Sequence, residues 1–213
     1  MTAADGDLPA GGYHALATYR EDEMRERRSR FLAIAEPVQD REGAVQILRQ
    51  LRERYDGANH VCWGLRIGPR PEEGFSDDGE PRGTAGLPIL QALRGAELSD
   101  ALVAVVRWFG GIKLGKGGLV RAYGDAARLV IHGAPRIARI PRRRLVVQLP
   151  YEQLGAVKRC LRPPQIELAD ENYGERVTLA LDVHPGSLDS LHNHLAALGL
   201  TALESETEDS SSS

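Results

Sequence analysis

The residues with the most chemistry to offer form one run, Arg107-Trp108-Phe109-Gly110-Gly111-Ile112-Lys113-Leu114-Gly115-Lys116-Gly117-Gly118-Leu119-Val120-Arg121-Ala122-Tyr123. Its five glycines and two lysines follow an apolar stretch, Ala101 to Val106, that reads as a buried strand. A helical pattern from Leu119 to about Ile131 comes next. A glycine-rich turn between strand and helix presents free backbone N–H groups and the positive end of a helix dipole, and here two ammonium groups as well. That combination suits an anion, above all a phosphate. The expected charged contacts are Lys113, Lys116 and Arg121, with amides near Gly117 and Gly118 as donors and Arg107 orienting an acidic loop. The alternative for the same glycines is a tight turn that lets the helix pack closely on the sheet. The spacing Gly110-x-x-x-x-Gly115-Lys116 imitates a P-loop, but Gly117 stands where Ser or Thr would hold magnesium. Nucleoside triphosphate hydrolysis of that type is therefore not expected.

The acidic loop carries Glu72, Glu73, Asp77, Asp78 and Glu80. Carboxylates so close together can hold a hard cation, but the order lacks the EF-hand pattern. Solvated loop charge, or pairing with Arg107, Lys113 or Lys116, is the expected role. Asp77, Asp78, Glu80, Arg82 and Thr84 are the residues of this loop expected to face the glycine run. His60 and Cys62 lie two apart on a strand and share a face. A catalytic Cys–His pair needs a third orienting group, which the sequence does not supply, so a packed Cys and a hydrogen-bonded His are expected. Ser76 lacks the glycine elbow of a serine hydrolase. His192 and His194 do not share a helix face. No catalytic group, metal-ligand set or cofactor is read from these patterns. A further basic cluster, Arg20, Arg25, Arg27, Arg28 and Arg30, lies on the first ribbon. Together with Lys113, Lys116 and Arg121 it could line a phosphate-tracking surface, and Trp108, Phe109 and Tyr123, close in sequence to those lysines, could complete a single-stranded nucleic-acid site by base stacking.

The elements that must position these groups follow from hydrophobic period and punctuation. Strands are expected at Tyr13 to Tyr19, Ser29 to Ala35, His60 to Ile67 and Ala101 to Phe109, with Glu21 to Arg28 as a turn or exposed ribbon. Asp40 is read as the N-cap of a helix through Tyr55. Pro71 to Gly83 is read as a polar loop, with Thr84 capping a helix through Leu93. Gly133 to Pro141 reads as a linker. After it, Leu145–Leu149, Tyr151–Leu161, Ile166–Asn172, Arg176–Val183, Pro185–Leu198 and Leu200–Leu203 give the order βαββαβ, the split βαβ of a ferredoxin-like sandwich. The domain reading is disordered residues 1–12, an α/β domain at 13–135, a linker at 136–141, a ferredoxin-like domain at 142–203 and a disordered acidic, Ser-rich tail at 204–213.

The formal net charge is −3, but its distribution is uneven. From Ala101 to Arg144 there are ten Lys and Arg against the single acid Asp125, and from Pro163 onward ten acids against the single base Arg176. Such asymmetry fits a polyanionic partner for one region or contact between the two halves. The modest negative total argues against avid non-specific nucleic-acid binding. No membrane span, secretory signal or zinc pattern is visible, and the two cysteines are far apart. A cytoplasmic setting and no membrane partner are expected.

Ser29-Arg30-Phe31, His60-Val61-Cys62-Trp63 and the long motif Phe75-Ser76-Asp77-Asp78-Gly79-Glu80-Pro81-Arg82-Gly83-Thr84-Ala85-Gly86, with the glycine run, resemble the IMPACT/YigZ family. The match spans about Ser29 to Ala134; the C-terminal half resembles the family's second domain by position and pattern. The resemblance implies an α+β protein: an N-terminal domain like ribosomal protein S5 domain 2, then a ferredoxin-like domain similar to the last domain of elongation factor G. Eukaryotic relatives regulate translation under amino-acid starvation and carry an additional interaction domain. The two-domain layout looks like the bacterial branch, for which the resemblance implies no settled activity. Fold analogy alone does not establish function.

The leading expectation is a non-catalytic cytoplasmic binding protein linked to translation, with RNA, the ribosome or translation factors as partners. The alternatives are an enzyme acting on a small phosphorylated metabolite through the Asp77-Asp78-Gly79-Glu80 loop, and a protein-interaction module. The sequence sets no oligomeric state.

Overall fold

The computed structural model describes residue 8 and residues 11–204. The expectations for residues 1–7, 9–10 and 205–213 lie outside the described residues. The chain divides into two compact units, one spanning Tyr13–Arg139 and one beginning at Ile140.

The first unit is built on β1 (Tyr13–Leu16), β2 (Arg20–Glu26), β3 (Ser29–Pro37), α1 (Arg41–Arg54), β4 (His60–Ile67), β5 (Glu72–Ser76), α2 (Gly86–Gly95), β6 (Leu98–Ser99), β7 (Ala101–Trp108), α3 (Gly115–Gly133) and β8 (Arg136–Arg139). A five-stranded sheet runs β2-β3-β7-β4-β5, every neighbour antiparallel. Its central strand explains the apolar run. Ala101, Val103 and Val105 face the core under α2 and α3, whereas Leu102, Ala104 and Val106 face the core under α1. Alternate side chains point to opposite faces, so a strand covered on both faces must be apolar throughout. The edge strand β2, Arg-Glu-Asp-Glu-Met-Arg-Glu, carries charge that discourages edge-to-edge pairing. Phe31 and Tyr123 meet edge-to-face at 5.2 Å and join β3 to α3.

Several boundaries differ from the sequence reading. Residues 136–139, within the stretch read as a linker, form β8, which pairs antiparallel with β1 in a small sheet ordered β6-β1-β8. The Gly and Pro residues punctuate the ends of that strand rather than a free connection. The charged ribbon Glu21 to Arg28 is mostly β2, and the loop read at Pro71 to Gly83 begins with β5, because edge strands need no apolar alternation. Helix α3 begins at Gly115, four residues before its first buried apolar side chain, Leu119. Asp40 does cap α1, accepting from Gly43 N at 2.7 Å.

The second unit contains β9 (Arg143–Leu149), α4 (Leu154–Lys158), β10 (Ile166–Tyr173), β11 (Val177–Val183), α5 (Leu188–Ala197) and β12 (Ala202–Glu204). The sheet order β10-β11-β9-β12, antiparallel throughout, is the ferredoxin-like arrangement. Leu145, Val147, Leu149, Val177, Leu179, Leu181 and Val183 alternate inward and pack with Val157, Leu191 and Leu195 of the two helices. The helix read at Tyr151 to Leu161 is a short 3-10 turn, Tyr151–Gln153, followed by the brief α4.

Candidate functional site

The glycine run leaves β7 at its Trp108 end and enters α3. Its first glycine answers a close approach: a Cβ on Gly110 would lie 2.1 Å from the backbone C and O of Arg28. The tip of the β2–β3 hairpin therefore rests directly on the start of the run. That tip is itself strained. Glu26 pairs with Ser29, leaving a two-residue turn of Arg27 (φ 44°) and Arg28 (φ 70°), both in the left-handed region that Asn-Gly ordinarily fills. Both arginines are exposed.

Helix α3 opens at Gly115 (φ 71°) with no side-chain cap and no acid in its first turn. Its nineteen residues align their peptide dipoles toward Lys116, Gly117 and Gly118. Lys113, Lys116, Gly117 and Arg121 are exposed, and neither lysine is in an ion pair with a described residue. Phe109 is 45% and Ile112 39% exposed beside them.

Arg107, expected among the anion contacts and also as the residue orienting the acidic loop, is buried and does only the second. Its side chain is 7% exposed and pairs through Nη1 with Glu80, whose own side chain is 4% exposed. Tyr123 Oη donates to the same Glu80 Oε1 at 2.8 Å, and His60 Nε2 lies 3.8 Å from it. Arg107 Nη2 reaches Ser29 Oγ at 3.5 Å, and that hydroxyl also accepts from Gly110 N at 3.3 Å. The guanidinium carbon sits 5.5 Å from the Phe31 ring and 5.6 Å from the Phe109 ring. Burial and the neighbouring Cys62 and Glu80 push the Tyr123 phenol strongly upward, so it stays a hydrogen-bond donor.

The acidic loop is satisfied by protein donors rather than by the lysines. Asp77 accepts from Gly83 N at 2.7 Å, Ala85 N at 3.0 Å and Gly86 N at 2.9 Å, and so caps α2 from eight or nine residues upstream. Burial opposes its ionisation, but the three amides outweigh burial and hold its carboxyl below the usual range. Thr84, expected to be the cap, is buried and donates its hydroxyl to Pro81 O at 2.6 Å. The side-chain oxygen best placed for the amides belongs to Asp77 because the turn folds back over the helix start. Asp78 accepts from Val61 N and Arg52 Nη2, each at 2.7 Å, and its carbonyl lies 2.7 Å from His60 Nδ1. Cys62 Sγ donates to Asp77 O at 3.0 Å, and burial pushes its thiol up to about 12. Arg82 is exposed. Among the described residues no group of three or more His, Cys, Asp or Glu is placed to hold a metal ion.

Two features lay beyond the sequence reading. The pairing of Arg107 with the acidic loop was expected, but not that Ser29 and Tyr123 would close a buried cluster around Arg107 and Glu80. The arginine ribbon was expected to share a surface with Lys113, Lys116 and Arg121, but the seat of Arg28 on Gly110 had no local signal, since it joins segments about eighty residues apart.

The fold and site together define a two-unit α+β protein with an exposed basic glycine turn and an acidic loop tied down by its own chain. Residues 27–131 match the Impact N-terminal domain, and residues 147–199 match a domain of unknown function, DUF1949. This chain belongs to the IMPACT family. It is 42% identical over 160 residues to an IMPACT family member of Thermus thermophilus, covering 75% of this chain and 87% of that protein. It is 32% identical over 156 residues to YigZ of Escherichia coli, covering 72% and 76% respectively. A crystal structure of a hypothetical protein superposes with a TM-score of 0.71 at 28% identity, over 92% of this chain and 98% of that one. No helix among the described residues is long and apolar enough to cross a membrane.

Proposed function

We propose that this chain is a non-catalytic cytoplasmic protein linked to translation, which binds RNA by its backbone phosphates at the glycine run. The observation that carries the reading is the uncapped start of α3, free of acids in its first turn and flanked by Lys113 and Lys116, which pair with no described residue. Lys113, Lys116 and Arg121 supply charge, the amides at Gly117 and Gly118 supply donors, and Arg27 and Arg28 extend the basic surface across Gly110. Phe109, half exposed, offers a face for an unpaired base. The link to translation is carried over from the family. The acidic loop is less suited to metabolite chemistry, because Asp77, Asp78 and Glu80 already accept from protein donors.

Titration of labelled single-stranded RNA at several salt concentrations tests this. Affinity is expected to fall with salt, and Lys113→Ala with Lys116→Ala to reduce the logarithmic slope by about 1.4, at ~0.7 per lost phosphate contact. Affinity indifferent to salt, or to the double substitution, removes the proposal.

A further inference from the structure

On the opposite face of the sheet from α2 and α3, a groove open to solvent, with about 550 Å³ of space, runs between α1 and the β4–β5 edge. Its volume falls in the range of small-molecule sites. Val45 of α1 lines it while 63% exposed, an apolar side chain that nothing in the described chain covers. Trp63 of β4 lines it from the sheet, its ring lying across Gly74, where a Cβ would stand 3.2 Å from Cζ3. Two arginines rise from α1 one turn apart. Arg52 is committed to Asp78, whereas Arg49 makes no hydrogen bond or ion pair with any described residue. Glu53, also on the rim, is likewise unpaired among the described residues.

We propose that this open groove binds a mononucleotide whose base carries an exocyclic amino group. The three requirements come from three different side chains. An aromatic ring and an aliphatic neighbour favour a flat, weakly solvated body. The free Arg49 guanidinium favours an anionic group such as a phosphate. Glu53 beside it would repel a ligand that offered only negative charge and only acceptors. The ligand must therefore also bring a donor, which an exocyclic amine supplies to the Glu53 carboxylate. A purely apolar guest leaves both charges unanswered, and inorganic phosphate leaves Val45 and Trp63 uncovered. This site stands apart from the glycine run: none of its lining residues belongs to that run or to the arginine turn.

The test uses the full chain and adenosine monophosphate. The protein has two tryptophans, so Trp108→Phe leaves Trp63 as the sole indole reporter. Saturable quenching is expected with a Kd below about 1 mM. Calorimetry on the unsubstituted chain checks the same constant independently of that substitution. Arg49→Ala is expected to weaken binding about tenfold. Glu53→Gln is expected to weaken adenosine monophosphate and, by removing the repulsion of the phosphate, to tighten purine riboside monophosphate, which lacks the amino group. Lys113→Ala with Lys116→Ala is expected to leave nucleotide binding unaltered. The proposal is overturned by absence of saturation up to about 10 mM, by indifference to Arg49→Ala, or by inorganic phosphate binding as tightly as the nucleotide.

Discussion

The Glu80 carboxylate accepts from the Arg107 guanidinium within the first unit, both side chains more than nine-tenths buried. The pair ties the acidic turn to the central strand, and Tyr123 adds a second donor from α3. Removing one partner strands the other in an apolar setting. Glu80→Ala or Arg107→Ala is therefore expected to cost about 3–5 kcal/mol of stability, read from the midpoint of urea unfolding at unchanged slope. The double variant should lose clearly less than the sum of the two, since neither charge is then left alone.

The Asp77 cap makes stability depend on pH in a defined direction. Its carboxyl titrates lower when folded than when unfolded. The stabilisation is thus complete above the unfolded value of about 3.9 and is lost as pH falls through the folded value. Unfolding measured between pH 7 and pH 2 should show this acid limb, and Asp77→Asn should flatten it. At pH 7, Asp77→Ala is expected to cost about 1–2 kcal/mol, as for other capping side chains.

The arginine turn carries strain that a different pair of residues would relieve. Arg27 and Arg28 hold positive φ in a two-residue turn. Replacing them with Arg27→Asn and Arg28→Gly is expected to raise stability by about 1 kcal/mol in thermal unfolding. If the turn serves RNA, the same double variant binds single-stranded RNA more weakly despite being more stable. Equal or tighter binding would take Arg27 and Arg28 out of the interface.

Gly110 admits no side chain beneath that turn. Gly110→Ala sets a methyl group 2.1 Å from the Arg28 backbone. The hairpin must shift, at a cost of about 1–3 kcal/mol by analogy with overpacked cores. Gly117→Ala, where nothing lies within 4 Å of the added carbon, is the matched control and should be close to neutral or slightly stabilising.

Cys62 should be inert while the protein is folded. With its thiol pushed up to about 12 by burial, the thiolate fraction at pH 8 is on the order of 10⁻⁴. Half-buried Cys160 is the faster thiol, and Cys62 should label only at the rate of unfolding. Rapid labelling of both in native buffer would contradict the packing around Cys62.

The sequence alone determined the main elements, because their signals are local. Seven residues from Ala101 to Arg107 are all buried, as a strand covered on both faces requires, and Leu145, Val147 and Leu149 keep the period of a half-buried strand. The Asp40 cap and the βαββαβ order were legible for the same reason. Tertiary structure alone decided the partners of the charges. Arg107 was expected both to serve the anion site and to orient the acidic loop, and only the fold decided for the loop, by bringing Glu80, twenty-seven residues earlier, against it. Asp77 took the capping role expected of Thr84, seven residues later, and the arginine turn came to rest on Gly110. Ion pairs and close backbone approaches depend on which distant segments share space. Hydrophobic period fixes the face that each segment buries but leaves open which polar side chain it will meet.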